Sequence, residues 1–190
     1  MKSLVIVAHP DDELIWMGGF ILKNKNWKFD VITLCRKEDL DRVPKFKKVC
    51  KFLNVNYCNM SNLEDDKLND LKEKKIIETI KKMLNKNEYD YIFTHGFNGE
   101  YGHKRHKEIH KAVKNMIKRK ELICKKLFCF SYKKNNGFCN INPNADKFIM
   151  LDNLTFSKKK HLITKVYGFP ENGFEEKSCG KKEAFDVLKI

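Results

Sequence analysis

Leu4–Glu13 reads LVIVAHPDDE, and the rest of the chain makes sense as support for it. Leu4, Val5, Ile6 and Val7 are a short apolar, largely β-branched run, the pattern of a strand buried on both faces. His9, Pro10, Asp11, Asp12 and Glu13 follow at once, and Leu14–Leu22 returns to apolar spacing that suits a helix. A buried strand therefore ends in a histidine and three carboxylates at the mouth of a helix. Adjacent carboxylates repel unless a proton or a cation sits between them. A divalent metal resolves the conflict, since His nitrogen and Asp oxygen are both good zinc ligands.

The bulk composition agrees with an intracellular enzyme-sized domain. The 190 residues favour one domain, 1–190, able to bury a core, and 42% hydrophobic with 12% aromatic residues is a globular balance. The apolar run after Met1 is too short for a signal-peptide core, and no stretch approaches the ~20 apolar residues of a membrane span. Seven cysteines, an odd number with no CxxC, point to free thiols in a reducing cytoplasmic setting. Cys124, Cys129 and Cys139 are poor candidates for a second metal site, because Cys129 sits inside the apolar LFCF. The formal charge of +14 comes from 39 Lys+Arg against 25 Asp+Glu. Lysine dominates and is spread along the chain, which reads as a solvated basic surface and disfavours a nucleic-acid site.

Strand and helix patterns alternate. Strands are expected near Leu4–Ala8, Phe29–Leu34, Val55–Met60, Tyr89–Thr94, Leu127–Tyr132 and Lys147–Leu151. Helices are expected near Glu13–Lys23, Val43–Leu53, Leu68–Leu84, Lys104–Lys120 and Thr155–Tyr167. Lys133–Pro143 and the Gly168–Gly180 tail read as loops. This spacing predicts an α/β fold: a Rossmann-like, mostly parallel sheet with helices on both faces, in one domain. With strand order 3-2-1-4-5, the tips of strands 1 and 4 meet at the switch point, where such sheets bind ligands.

A second cluster follows the fourth strand. Gly99–His110 reads GEYGHKRHKEIH, with His103, His106 and His110 spaced by three and four along one helix side. Five of the six histidines follow strands 1 and 4, and His95 marks the tip of the latter. Three in register opposite an acidic cluster that needs a cation favour metal binding over a plain surface helix.

AHPDDE with a later YGHKRH resembles the LmbE/PIG-L family of zinc-dependent N-deacetylases. The resemblance implies a metal-dependent hydrolase that removes an N-acetyl group from an N-acetylglucosamine-type sugar or its conjugate. It implies His9, Asp12 and His106 as zinc ligands, Asp11 as general base, Tyr101 as oxyanion donor and His103 as a protonated acid. It implies Arg42 as a holder of substrate polar groups; from their positions, His95 at the strand tip reads as a further substrate contact and His110 as support or packing. Glu13 is read as orienting the helix start and Trp16 as core. The alternatives are an amidase for another N-acyl substrate, or a basic α/β module that holds a polyanion and has lost catalysis.

Two departures mark the chain. Many relatives carry HPDH, whose aspartate partners the first histidine, where this chain has HKRH and Arg105. An inward Arg105 would depress the His103 pKa, and another carboxylate such as Glu100 would have to support that histidine. Lys45 stands where a glutamate is expected three residues after Arg42.

Overall fold

The computed structural model describes residues 1–189. In chain order the elements are β1 (Lys2–Val7), α1 (Asp12–Lys23), β2 (Lys28–Thr33), α2 (Arg42–Phe52), β3 (Tyr57–Met60), α3 (Glu73–Met83) and β4 (Tyr91–Thr94). Then come a short α4 (Gly99–Gly102), α5 (Lys104–Lys118) and β5 (Lys126–Phe130). The last third holds β6 (Tyr132–Asn135), β7 (Phe138–Ile141), β8 (Lys147–Met150), α6 (Asn153–His161), one π-helical turn (Leu162–Val166), α7 (Phe174–Ser178) and β9 (Lys182–Lys189).

Seven strands form one sheet in the order β3-β2-β1-β4-β5-β9-β8. The first five are parallel, whereas β9 runs antiparallel to both β5 and β8. Alternation along β1 explains its continuous apolar run. Val5 and Val7 enter the core shared with α1 and α2, while Leu4 and Ile6 enter the core shared with α3 and α5. β1 pairs with β2 on one side and with β4 on the other, so the tips of β1 and β4 flank the switch point.

The last third departs from expectation most. Lys133–Pro143 holds the β6–β7 hairpin instead of a plain loop, turning at Asn136 and Gly137, both with positive φ (51° and 87°). That is the Asn-Gly chemistry of a tight hairpin. The helix expected from Leu68 begins only at Glu73, because Leu68 takes a φ of 50° and lies partly exposed in an irregular 61–72 segment. The supposed tail loop contains α7, and β9 completes the sheet.

Candidate active site

The first cluster is folded by its own backbone. Asp11 closes the turn after β1 with a φ of 136°, a conformation that L side chains rarely adopt. Its carbonyl accepts from the amides of Leu14 and Ile15, which starts α1. Its own N–H donates to Glu13 Oε2 at 3.0 Å. Glu13 is fully buried, and Tyr167 donates its hydroxyl to Glu13 Oε1 at 2.6 Å. Burial raises the Glu13 pKa to about 7. Glu13 thus orients Asp11, a firmer role than a helix-start charge, and the strain at Asp11 is held by Glu13 on one side and the first turn of α1 on the other.

His9, Asp12 and His106 converge. His9 Nδ1 lies 3.3 Å from Asp12 Oδ2 and 3.2 Å from His106 Nε2, and His106 Nε2 lies 3.5 Å from the same Asp12 oxygen. Zinc–nitrogen and zinc–oxygen distances of about 2.0–2.2 Å give tetrahedral edges of roughly 3.3–3.5 Å. The donor triangle therefore has the size of one face of a zinc tetrahedron, and its donors are the right chemistry. Three groups overlap the triangle, His9 with His103 and His106, Asp12 with His95 and His106, and His9 with Cys35 and Asp65, each with donor atoms within 4.8 Å of one another. In the second, Ala8 N–H donates to His95 Nε2 at 2.9 Å, so that nitrogen's lone pair is already used.

Outer partners fix each donor. Trp16 Nε1 donates to Asp12 Oδ1 at 2.8 Å, leaving Oδ2 toward the triangle. Asp65 Oδ2 lies 3.0 Å from His9 Nε2, a partner for a proton on that nitrogen that turns Nδ1 toward Asp12 and His106. Glu100 Oε2 takes the Nδ1 side of both His95 and His106, and Glu100 Oε1 accepts from Gly96 N–H at 2.6 Å. These contacts present His106 Nε2 to the triangle. His110 Nδ1 meets the His95 carbonyl at 2.8 Å and ties α5 to the end of β4.

Charges follow this packing. Burial opposes ionisation of Asp12, but His106, His95 and His9 outweigh it and hold its carboxyl well below the usual range. Burial and the neighbouring Asp12 push Asp11 well above its usual value. Burial opposes ionisation of Glu100 too, yet His95 and His106 bring it down to about 2. Burial would lower the His9 pKa, but Asp12 and Asp65 raise it to about 10, which marks a pocket that demands positive charge.

Three expectations are corrected. His103 was expected to work as a cation. Burial, then His106 and His9, press its pKa down to about 4, which disfavours the cation. Arg105 is not the cause, since it points away from His103 onto Glu64, Glu108 and Asn69, and Glu100 serves His95 and His106 instead of His103. His95 was expected to touch substrate, but it is fully buried, stacked on His106 with ring centroids 3.7 Å apart, and lies behind the triangle.

A cavity of about 280 Å³ opens over the triangle. Asp11, Tyr101, His103 and Arg42 line it, as the sequence predicts, together with Arg36, Asp39 and Asp65. Arg42 Nη1 bonds Asp11 Oδ2 at 3.1 Å, and its guanidinium sits 4.4 Å from the Phe169 ring centroid. Burial, then Asp12 and Asp11, raises the Tyr101 pKa, so its hydroxyl stays a donor. Phe174 of α7 also lines the cavity, with its ring 5.0 Å from that of Tyr101. Asp65, Glu100, Trp16 and Tyr167 escaped sequence reasoning in these roles. The signal for Glu100 was its place in the GEYGHKRH cluster, whereas Asp65 had none.

Comparison with known proteins agrees with this geometry. Residues 4–117 match the family model described as PIG-L: GlcNAc-PI de-N-acetylase. An uncharacterized protein, L374, of Acanthamoeba polyphaga mimivirus is 28% identical over 188 residues, spanning 90% of this chain and 77% of the relative. GalB, the 4-carboxy-2-hydroxymuconate hydratase of Pseudomonas putida KT2440, superposes with a TM-score of 0.70 at 13% identity, over 100% of this chain and 97% of its own. The N,N'-diacetylchitobiose deacetylase of Pyrococcus horikoshii gives 0.66 at 17% identity, over 99% and 84%. Likeness at these identities establishes the fold alone, and the two named chemistries differ.

Proposed function

The chain belongs to the PIG-L: GlcNAc-PI de-N-acetylase family, and from that premise we propose that it is a zinc-dependent hydrolase removing the N-acetyl group from an N-acetylglucosamine-type sugar or its conjugate. The observation that carries this reading is the His9–Asp12–His106 donor triangle, of zinc size, with the Asp11 carboxylate beside it in one cavity. These three residues would hold the ion at the floor of the cavity. When bound, zinc lowers the pKa of water and polarises the acetamide carbonyl.

The chain's own groups do the rest. Asp11 takes a proton from the attacking water while the hydroxyl oxygen joins the carbonyl carbon. Arg42 fixes the Asp11 carboxylate through Oδ2. Tyr101 donates its hydroxyl to the developing oxyanion, and neutral His103 donates an N–H there as well. The C–N bond then breaks, and the proton held by Asp11 passes to the departing nitrogen. Acetate and a free amine leave. The raised Asp11 pKa suits a group that must take a proton and give it back.

The cavity of about 280 Å³ is at the small end of ligand pockets, roughly 300–1,000 Å³. One sugar ring fits inside, and the rest of a conjugate lies outside. The charge of +14 would draw an anionic conjugate toward the mouth. All seven cysteines are free, which suits a cytoplasmic setting. Among the described residues no helix is long and apolar enough to cross a membrane.

An acetate-release screen over N-acetylglucosamine, its phosphorylated and nucleotide-linked forms and chitin oligomers tests the reading. Release with at least one of them is expected from zinc-loaded protein. Asp11→Asn should abolish release and still bind about one zinc per chain. Loss of zinc with activity would make Asp11 a ligand, and wild-type protein that binds no zinc would sink the site.

A further inference from the structure

Arg105 is the largest departure of the second motif and, at 0% side-chain exposure, one of the most deeply buried charges in the chain. A buried guanidinium is costly unless its donors are satisfied. Here they are satisfied by one segment and one helix neighbour. Nε donates to the Glu64 carbonyl, Nη2 donates to Glu64 Oε2 at 2.6 Å and to the Asn69 carbonyl at 2.7 Å, and Nη1 donates to Glu108 Oε2. Glu64 in turn accepts from the amides of Lys67 and Asn69 at 2.6 and 3.0 Å. Arg105 is thus the internal anchor of residues 61–72, a stretch with neither helix nor strand to hold its shape. The other side-chain tie from the start of α5, Lys104 Nζ to the Leu68 carbonyl and to Asp70, is exposed to water and therefore screened.

The residue after Glu64 is Asp65. Its Oδ2 meets His9 Nε2 at 3.0 Å and accepts from Arg36 Nε and Nη2 at 3.2 and 2.9 Å. Asp65 reaches His9 from a segment pinned one residue earlier by Arg105 and two residues earlier by the Leu63 amide on the Leu34 carbonyl at 2.8 Å. We infer that Arg105 is a positioning residue for the metal centre: it fixes the 61–72 segment so that Asp65 holds the His9 ring with Nδ1 turned to Asp12 and His106. Its guanidinium is spent on the backbone that delivers a carboxylate to His9, and His103 is left without a carboxylate partner. Lysine cannot replace it, because a point charge lacks the fork that reaches two carbonyls and two carboxylates at once.

The inference rests on the zinc reading, and zinc affinity, measured by competition with a chromophoric chelator, tests it without any substrate. Asp65→Ala should raise the zinc dissociation constant on the order of 10- to 100-fold, the range for loss of a ligand's outer partner. Arg105→Lys keeps the charge and the fold but should lose on the order of 3- to 10-fold of that affinity. In the Asp65→Ala background, Arg105→Lys should cost nothing further, since its effect passes through Asp65. Thermal unfolding of the metal-free proteins runs alongside. An Arg105→Lys protein that unfolds earlier yet binds zinc like the wild type makes Arg105 a structural anchor only and overturns the inference. Equal losses in both backgrounds overturn the route through Asp65. Wild-type protein without zinc affinity overturns the metal reading and this inference together.

Discussion

Glu100→Gln is the most informative single change, because shape is kept and only one proton-accepting oxygen is lost. Glu100 is fully buried, with Oε2 shared by His95 and His106 and Oε1 facing Gly96 N–H. A glutamine has one oxygen and one NH2 group. With its oxygen toward the histidines, its NH2 confronts the Gly96 N–H; flipped, its NH2 confronts two ring N–H groups. One donor–donor conflict is unavoidable, and an unsatisfied buried donor costs about 1–3 kcal/mol. For a chain of this length that lowers Tm by roughly 2–12 °C. Turning His106 away from the triangle should also weaken zinc by about 10- to 100-fold, or ~1.4–2.8 kcal/mol. Differential scanning calorimetry of the metal-free protein and a chelator competition read the two effects.

The same residue sets a pH dependence. Its folded pKa of about 2 lies below the ordinary 4.5, so its ionised form stabilises the fold above pH ~4.5, and that contribution fades as pH falls toward 2. Glu100→Gln removes this contribution. The variant should lose less stability than the wild type between pH 4.5 and 2. A variant with wild-type zinc affinity, wild-type Tm and an unchanged acid limb would refute the assignment of Glu100 as the clamp on both histidines.

Two further outcomes follow from buried contacts. Trp16→Phe keeps the aromatic packing but removes the Nε1–H donated to Asp12 Oδ1; a net loss of about 0.5–1.5 kcal/mol in zinc affinity is expected by titration, and an unchanged affinity would show that Asp12 needs no such guide. Lys159→Met strands the Glu183 carboxylate, which pairs with Lys159 Nζ at 2.7 Å, both side chains fully buried, while accepting the Gly19 and Phe20 amides of α1. Urea unfolding should show a loss of about 3 kcal/mol or more, and a loss under 1 kcal/mol would mean the two amides alone satisfy Glu183.

What the sequence disclosed depended on the range of each interaction. The sheet order 3-2-1-4-5 was legible because strand–helix alternation is written locally, residue by residue. The meeting of the AHPDDE and GEYGHKRH clusters follows from that order, since the tips of β1 and β4 adjoin, whereas the choice of His9, Asp12 and His106 within them is what the family resemblance implies. Leu68 and Leu71 extended the apolar spacing of α3 and misled the boundary, because periodicity cannot see that Arg105 pins their segment open. The Asn136-Gly137 turn is written in the sequence, but the polar run around it hides the short strands on either side. Asp65 was invisible: its partner His9 lies 56 residues away, and nothing local distinguishes it from Asp66. His95 was misjudged for a related reason. A strand tip usually faces the ligand, but here Ala8 N–H and Glu100 take both ring nitrogens.

The irregular last third also secures Asp11, the proposed base. The family match ends at residue 117, yet Asp11 is held in its strained conformation by Glu13, and Glu13 by Tyr167. Arg42, which bonds the Asp11 carboxylate, rests on the ring of Phe169. Backbone and side chain of Asp11 are thus each secured through residues 167–169, on either side of the turn made by Gly168 with a φ of 80°. Without Tyr167, the buried Glu13 carboxylate would lose its hydroxyl donor, and its already raised pKa would climb further under the same burial. A protonated Glu13 accepts more weakly from the Asp11 amide, so the strain at φ 136° would go unopposed. The AHPDDE motif therefore supplies the chemical groups, and a segment more than 150 residues away holds Asp11 among them in its strained conformation.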